Sequence, residues 1–144
     1  MTDSPWREIS LTRTGPEEYV ATNARGASLR VGSGSTADFS PVELLLVAIA
    51  GCSSVDVDLI TSRRAEPTRF DVVARGEKLK DERGNHMGAI EVSFVVEFPE
   101  GPEGDQARER LAPAVAQSRD QLCTVSRTVQ LSTPVSYQVD GAEV

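Results

Sequence analysis

Two side chains in this sequence can serve as nucleophile, metal ligand or redox centre: those of Cys52 and Cys123. A cysteine is often no more than a small buried hydrophobe, so its setting decides whether it does chemistry. Cys52 follows Gly51 inside a long apolar stretch, PVELLLVAIAGCSSVDVDLI. A glycine inside a helix costs roughly 1 kcal/mol relative to alanine, and its presence points to a neighbour that approaches closely. Cys123 stands directly before a short helical segment, TVSRTVQ. There the unpaired N–H groups and the dipole of the helix start favour a thiolate. One buried thiol and one helix-terminal thiol suit a redox pair, one to attack and one to resolve. The competing reading is two buried, inert thiols.

Other chemistries find fewer residues. Structural zinc takes four ligands, and the only histidine, His86, lies in the turn-rich DERGNHMG. Cys52, Cys123 and His86 leave one ligand missing and show no paired spacing, so no metal site is expected. A Cys/His nucleophile would depend on the same histidine, which reads as a solvated loop residue. Asp56 and Asp58 diverge on a helix, but Asp56 lies at i+4 from Cys52, where a buried anion would raise the thiol pKa. Asp56 is therefore expected to be hydrogen-bonded or turned to solvent. No cofactor is expected.

The elements that must position these thiols follow from periodicity. Trp6 to Arg13, Tyr19 to Asn23 and Ala27 to Val31 read as three short strands with turns between them, and Ile9, Leu11 and Arg13 share one face, expected to point inward. GSGSTAD, residues 32 to 38, is a flexible loop. Pro41 to about Arg64 is a helix: Ser40 is its N-cap, Pro41 suits the first position, and Glu43 completes a capping box. Leu44 to Ile49 is apolar all round, so this half should be covered on every side, by sheet or by a partner chain. Phe70 to Lys78 and Ala89 to Phe98 are strands, the second with Ile90, Val92, Phe94, Val96 and Phe98 on one face. Ala107, Leu111, Ala114, Val115 and Ser118 fall at helical spacing, with Pro113 expected to kink or restart the helix. A helix over Thr124 to Gln130 and a strand through Val135, Tyr137 and Val139 complete the order βββ-α-ββ-αα-β, an α+β fold in a single domain, residues 1–144.

Composition excludes some partners. The net charge is -7 and no basic face appears, so nucleic acid is disfavoured as a partner. The opening MTDSPWREIS has neither a basic head nor an apolar stretch, so no secretory signal is expected. The uninterrupted apolar run falls far short of the roughly 20 residues that span a bilayer, so no membrane partner is expected. The expected location is the cytoplasm, where two cysteines rarely form a permanent disulfide.

SPVELLLVAIAGCSSVDVDLI resembles the cysteine-bearing central helix of the OsmC/Ohr family, and RDQLCTVSRTV resembles its second cysteine motif. The strand order around them fits as well, and the pairing of P-x-E-L-L-L-x-x-x-x-G-C with a downstream C-x-V-S is specific. The resemblance implies an OsmC-like fold, an antiparallel sheet packed around a long buried central helix, in an intertwined homodimer with the sites at the subunit interface. It further implies reduction of organic hydroperoxides, with Cys52 attacking, Cys123 resolving, and a dithiol such as a protein-bound lipoyl group as reductant. Two departures stand out. The peroxide-reducing members carry a glutamate directly after the motif proline, where this chain has Val42. They also carry an arginine in the N-terminal hairpin, for which Arg13 is the nearest counterpart. The pattern is closest to the YhfA-like branch. The alternative function is a small-molecule-binding or redox-sensing protein that uses the same fold without peroxide turnover. The two-cysteine chemistry requires that the fold bring Cys52 and Cys123, 71 positions apart, close enough to bridge.

Overall fold

A computed structural model describes residues 4–144 of the chain. Their contacts fall into two compact units, one running through Leu45 and the other spanning Leu46–Val144, with the boundary inside the central helix.

The first unit holds a three-stranded antiparallel sheet, β1 (Ile9–Gly15), β2 (Glu18–Asn23) and β3 (Ser28–Val31), in the order β1-β2-β3. Asn23 closes the second turn with its side-chain oxygen, which accepts from the backbone N–H groups of Arg25 and Ala27. The loop after β3 is tied down by an Arg30–Asp38 ion pair of 2.8 Å and by the Gly32 N–H donating to the Phe39 carbonyl. The β1 face that carries Ile9, Leu11 and Arg13 is exposed rather than inward. Strict alternation identified the face, but alternation does not say what covers it.

The central helix, α1 (Pro41–Thr61), begins with the expected capping box. The Ser40 N–H donates to Glu43 Oε1 at 2.9 Å and the Glu43 N–H donates to Ser40 Oγ at 3.3 Å. The first bond favours the ionised Glu43, whose pKa is held down by the Ser40 N–H first and by the Ser40 hydroxyl second. The helix ends at Thr61, a turn earlier than the sequence pattern suggested. Its buried residues within the second unit, Ile49, Ser53, Val57 and Thr61, recur every four positions and form one stripe. Val47, Ala48, Gly51, Val55 and Leu59 are exposed, so the second unit does not cover its part of the helix on every side. By length and a mean hydropathy of 1.8, α1 also has the dimensions of a bilayer span, which counting only the uninterrupted apolar run did not anticipate. Its buried stripe is that of a core helix.

The rest of the second unit is a long hairpin followed by helices. β4 (Arg69–Asp81) and β5 (Gly84–Glu97) pair antiparallel, with a register shift between Gly76 and Lys78. The expected turn of eight residues shrinks to Glu82-Arg83, because the Asp81 carboxylate accepts from the Arg83 and Gly84 N–H groups and Gly84 adopts φ 127. Val92, Phe94 and Val96 alternate inward as expected, and Phe94 meets Phe70 edge to face at 6.2 Å. α2 (Pro102–Gln117) continues through Pro113, so the helix does not restart there. Pro113 and Glu109 are exposed, so water can satisfy the Glu109 carbonyl that a proline cannot serve. The irregularity comes later, as a π-helical turn over Ser118–Leu122, followed by α3 (Thr124–Gln130). The final strand is shorter than expected: β6 (Gln138–Val139) pairs with β7 (Ala142–Glu143), leaving Val135 and Tyr137 exposed outside it.

Candidate functional site

Cys52 and Cys123 meet in the second unit. Their sulfurs and a carboxylate oxygen of Asp56 all lie within 4.8 Å of one another. Both cysteines are free thiols. A disulfide bond is about 2.05 Å long, so the sulfurs are less than about 3 Å from bonding distance, a movement on the scale of a side-chain rotation.

Two features of the backbone produce this arrangement. On α1, Cys52 sits at the edge between the buried stripe and the exposed apolar one, and is half-buried. On the other side, the π-helical turn closes with the Cys123 N–H donating to the Ser118 carbonyl at 2.8 Å, and Cys123 then leaves the helix with extended dihedrals. Cys123 is thereby the N-cap of α3, its sulfur accepting from the Ser126 N–H at 3.3 Å. It is 0% exposed. A π-helical turn beside a reactive group is a recurrent device, since the wider coil re-aims the residue that follows it.

Serines tie the two sides together. The Ser53 hydroxyl donates towards the Cys123 sulfur at 3.5 Å, and the buried Ser118 hydroxyl donates to Asp56 Oδ2 at 2.8 Å. Asp56 is thus hydrogen-bonded, one of the two alternatives its position allowed. The residue types singled out no serine; Ser118 was visible only as the last member of the apolar stripe on α2, where a polar residue at a core position was the available signal.

The Cys52 thiol pKa is raised, first by burial and then by the Cys123 thiol, while the backbone N–H groups of Val125 and Thr124 act in the opposite direction. The start of α3 therefore faces Cys52 as well as being capped by Cys123. No arginine or lysine of the second unit figures among the groups acting on Cys52. Arg13 lies in the first unit, exposed on β1 opposite Tyr19. His86 is exposed on β5 with Nδ1 3.7 Å from Asp81 Oδ2, and takes no part in the cluster of Cys52, Asp56 and Cys123.

The family model described as OsmC-like protein matches residues 32–138, which contain Cys52, Asp56, Ser118 and Cys123. The chain belongs to the OsmC-like family. It is 29% identical over 133 residues to an uncharacterized protein of Mycobacterium tuberculosis H37Rv, covering 92% of this chain and 95% of that one. The crystal structure of a hypothetical protein from Aquifex aeolicus VF5 superposes with a TM-score of 0.71 at 26% identity, covering 90% of this chain and 91% of that chain. The organic hydroperoxide resistance protein OhrB of Bacillus subtilis shares the fold with a TM-score of 0.55 at 16% identity, over 87% of this chain and 92% of that one. The mixed α+β architecture of antiparallel strands and helices is therefore the OsmC-like fold.

Proposed function

We propose that this OsmC-like protein is a thiol-dependent peroxidase that reduces organic hydroperoxides through Cys52 and Cys123. The observation that carries the reading is the pairing of two free thiols of unequal burial, with sulfurs within 4.8 Å. The half-buried Cys52 is the thiol a substrate can reach, and the fully buried Cys123 is the one that can only act on Cys52. In the first step the Cys52 thiolate attacks the outer peroxide oxygen; the O–O bond breaks, Cys52 becomes a sulfenic acid, and the alkoxide leaves as an alcohol after taking a proton. Cys123 then displaces water from the sulfenic acid, forming the Cys52–Cys123 disulfide. A dithiol reductant, such as a lipoyl group, returns both cysteines to thiols by exchange. The apolar setting of Cys52 on α1, beside Ile49 and Val55, supports an alkyl hydroperoxide over a small inorganic one. The name of the Bacillus subtilis structural neighbour supports the same substrate class.

Turnover of an alkyl hydroperoxide with a dithiol reductant tests the proposal. Wild type should consume peroxide steadily and Cys52→Ser should not; equal rates in the two would remove the peroxidase reading.

A second reading, a redox-sensing or binding protein without turnover, is favoured by one observation. Cys52 is shifted towards its thiol form, with no basic side chain of its own unit to hold the thiolate. A sensor would form the Cys52–Cys123 disulfide once, stoichiometrically with peroxide, and stop even with reductant present.

A further inference from the structure

We propose that Cys52, Asp56 and Cys123 form a zinc site in the reduced protein. The peroxidase scheme uses the two sulfurs and leaves Asp56 without a role, although its carboxylate stands within 4.8 Å of both. An anion beside a thiol opposes thiolate formation, so a carboxylate fixed there is unfavourable for a bare nucleophile. A cation gives it a purpose. Two thiolates and a carboxylate carry three negative charges, and a dication reduces the sum to one.

The geometry is close to what such an ion requires. Tetrahedral zinc, with Zn–S near 2.3 Å and Zn–O near 2.0–2.2 Å, places its ligand atoms about 3.3–3.8 Å apart. The three atoms here need to contract by at most about 1–1.5 Å. Two sulfurs and one oxygen form a borderline-soft donor set that suits zinc and disfavours calcium or magnesium, which take oxygen ligands. The ligands come from two separate elements, and each of the two best-buried contacts is already oriented. Ser118 holds Asp56 Oδ2 at 2.8 Å, and Ser53 and the Ser126 N–H address the Cys123 sulfur at 3.5 and 3.3 Å. Outer hydrogen bonds of this kind orient metal ligands. Binding replaces the protons of both thiols, which pass to solvent, and water fills the fourth position. His86, the residue that made zinc look incomplete in the sequence, is replaced in this role by Asp56.

The site needs only reduced thiols, whether or not the protein turns over peroxide. Where it does, zinc occupies both sulfurs and blocks their oxidation.

The test uses the full-length protein, stripped with a chelator and kept reduced with a phosphine. It is titrated with zinc against a chromogenic chelator, and with cobalt(II) in parallel. The expected result is one ion per chain, with a sulfur-to-cobalt charge-transfer band and the intense visible bands of a tetrahedral site. Cys52→Ser should weaken that charge-transfer band. Ser118→Ala should weaken zinc binding about 10- to 100-fold and Asp56→Asn at least about tenfold, with unchanged far-UV circular dichroism. His86→Ala should bind as wild type. No ion retained against the chelator, undiminished affinity in Asp56→Asn, or loss of binding in His86→Ala would each overturn the proposal. The titration contains no peroxide, so an inactive protein that binds zinc removes the peroxidase reading alone. An active protein that binds none removes this one alone.

Discussion

At the scale of single residues, the two thiols differ in access, and the acidity of Cys52 is set by its neighbours. Burial and the neighbouring Cys123 push the Cys52 pKa up, against the pull of two backbone N–H groups. Cys52 is therefore mostly a thiol near neutral pH, and its alkylation rate should climb with pH to a midpoint above that of a free cysteine. Cys123→Ala removes two of the raising influences, so the midpoint should move down; an upward move would contradict this account. The stability sign follows from the same shift. A pKa raised by folding contributes stability that is complete below the unfolded cysteine pKa and fades as pH rises through the folded value. A bulky thiol reagent should label one cysteine per native chain and two after denaturation, because Cys123 is fully buried. The types and neighbours of Cys52 and Cys123 were legible as a thiol pair from the sequence, but their division of labour was not. Position alone made Cys123 the more acidic thiol. In the fold Cys123 uses its sulfur to cap α3, while the Thr124 and Val125 N–H groups turn to Cys52. Ser118 lies 62 positions from Asp56, and no local pattern could announce that pair.

Among the elements, those with local signals were readable: the capping box at Ser40, the alternation of β5, and the start of α3. The π-helical turn was not, since it is closed by a backbone bond, from the Cys123 N–H to the Ser118 carbonyl, that no residue type demands. Pro113 does not end the helix, because the exposed Glu109 carbonyl that loses its partner can be satisfied by water. The junction makes a prediction about stability as well as chemistry. Cys123→Ser retains an oxygen that can accept from the Ser126 N–H, whereas Cys123→Ala removes the cap. Loss of an N-cap costs about 0.5–2 kcal/mol. The alanine variant should therefore unfold at lower urea than the serine variant by that difference, although both lack the resolving thiol and neither can form the disulfide. Equal midpoints would mean that the sulfur does not cap α3.

For the whole molecule, the decisive surface is the uncovered side of α1. Val47, Val55 and Leu59 are 49%, 59% and 60% exposed, and with Ala48 and Gly51 they form one stripe of apolar and small residues along the helix. Leaving such a stripe in water forfeits roughly 25 cal/mol for every Å² that could be buried. The homodimer we propose covers it with the same stripe of a second copy, as two-fold symmetry requires. Light scattering should then give twice the mass of one chain at micromolar concentration, and Val55→Asp should shift it towards one. Gly51 supplies a sharper test, because its sign differs between the two states. No described atom lies within 4 Å of a Cβ built on Gly51, so in an isolated chain Gly51→Ala meets nothing. Helix propensity alone would then stabilise the protein by up to about 1 kcal/mol. If a partner helix packs against Gly51, which is the close neighbour its sequence position suggested, the added methyl forces the helices apart and costs about 1–3 kcal/mol. Denaturation of Gly51→Ala across a range of protein concentrations separates the two: a dimer predicts a loss of stability at concentrations where the wild type is dimeric, and a gain at every concentration would contradict it.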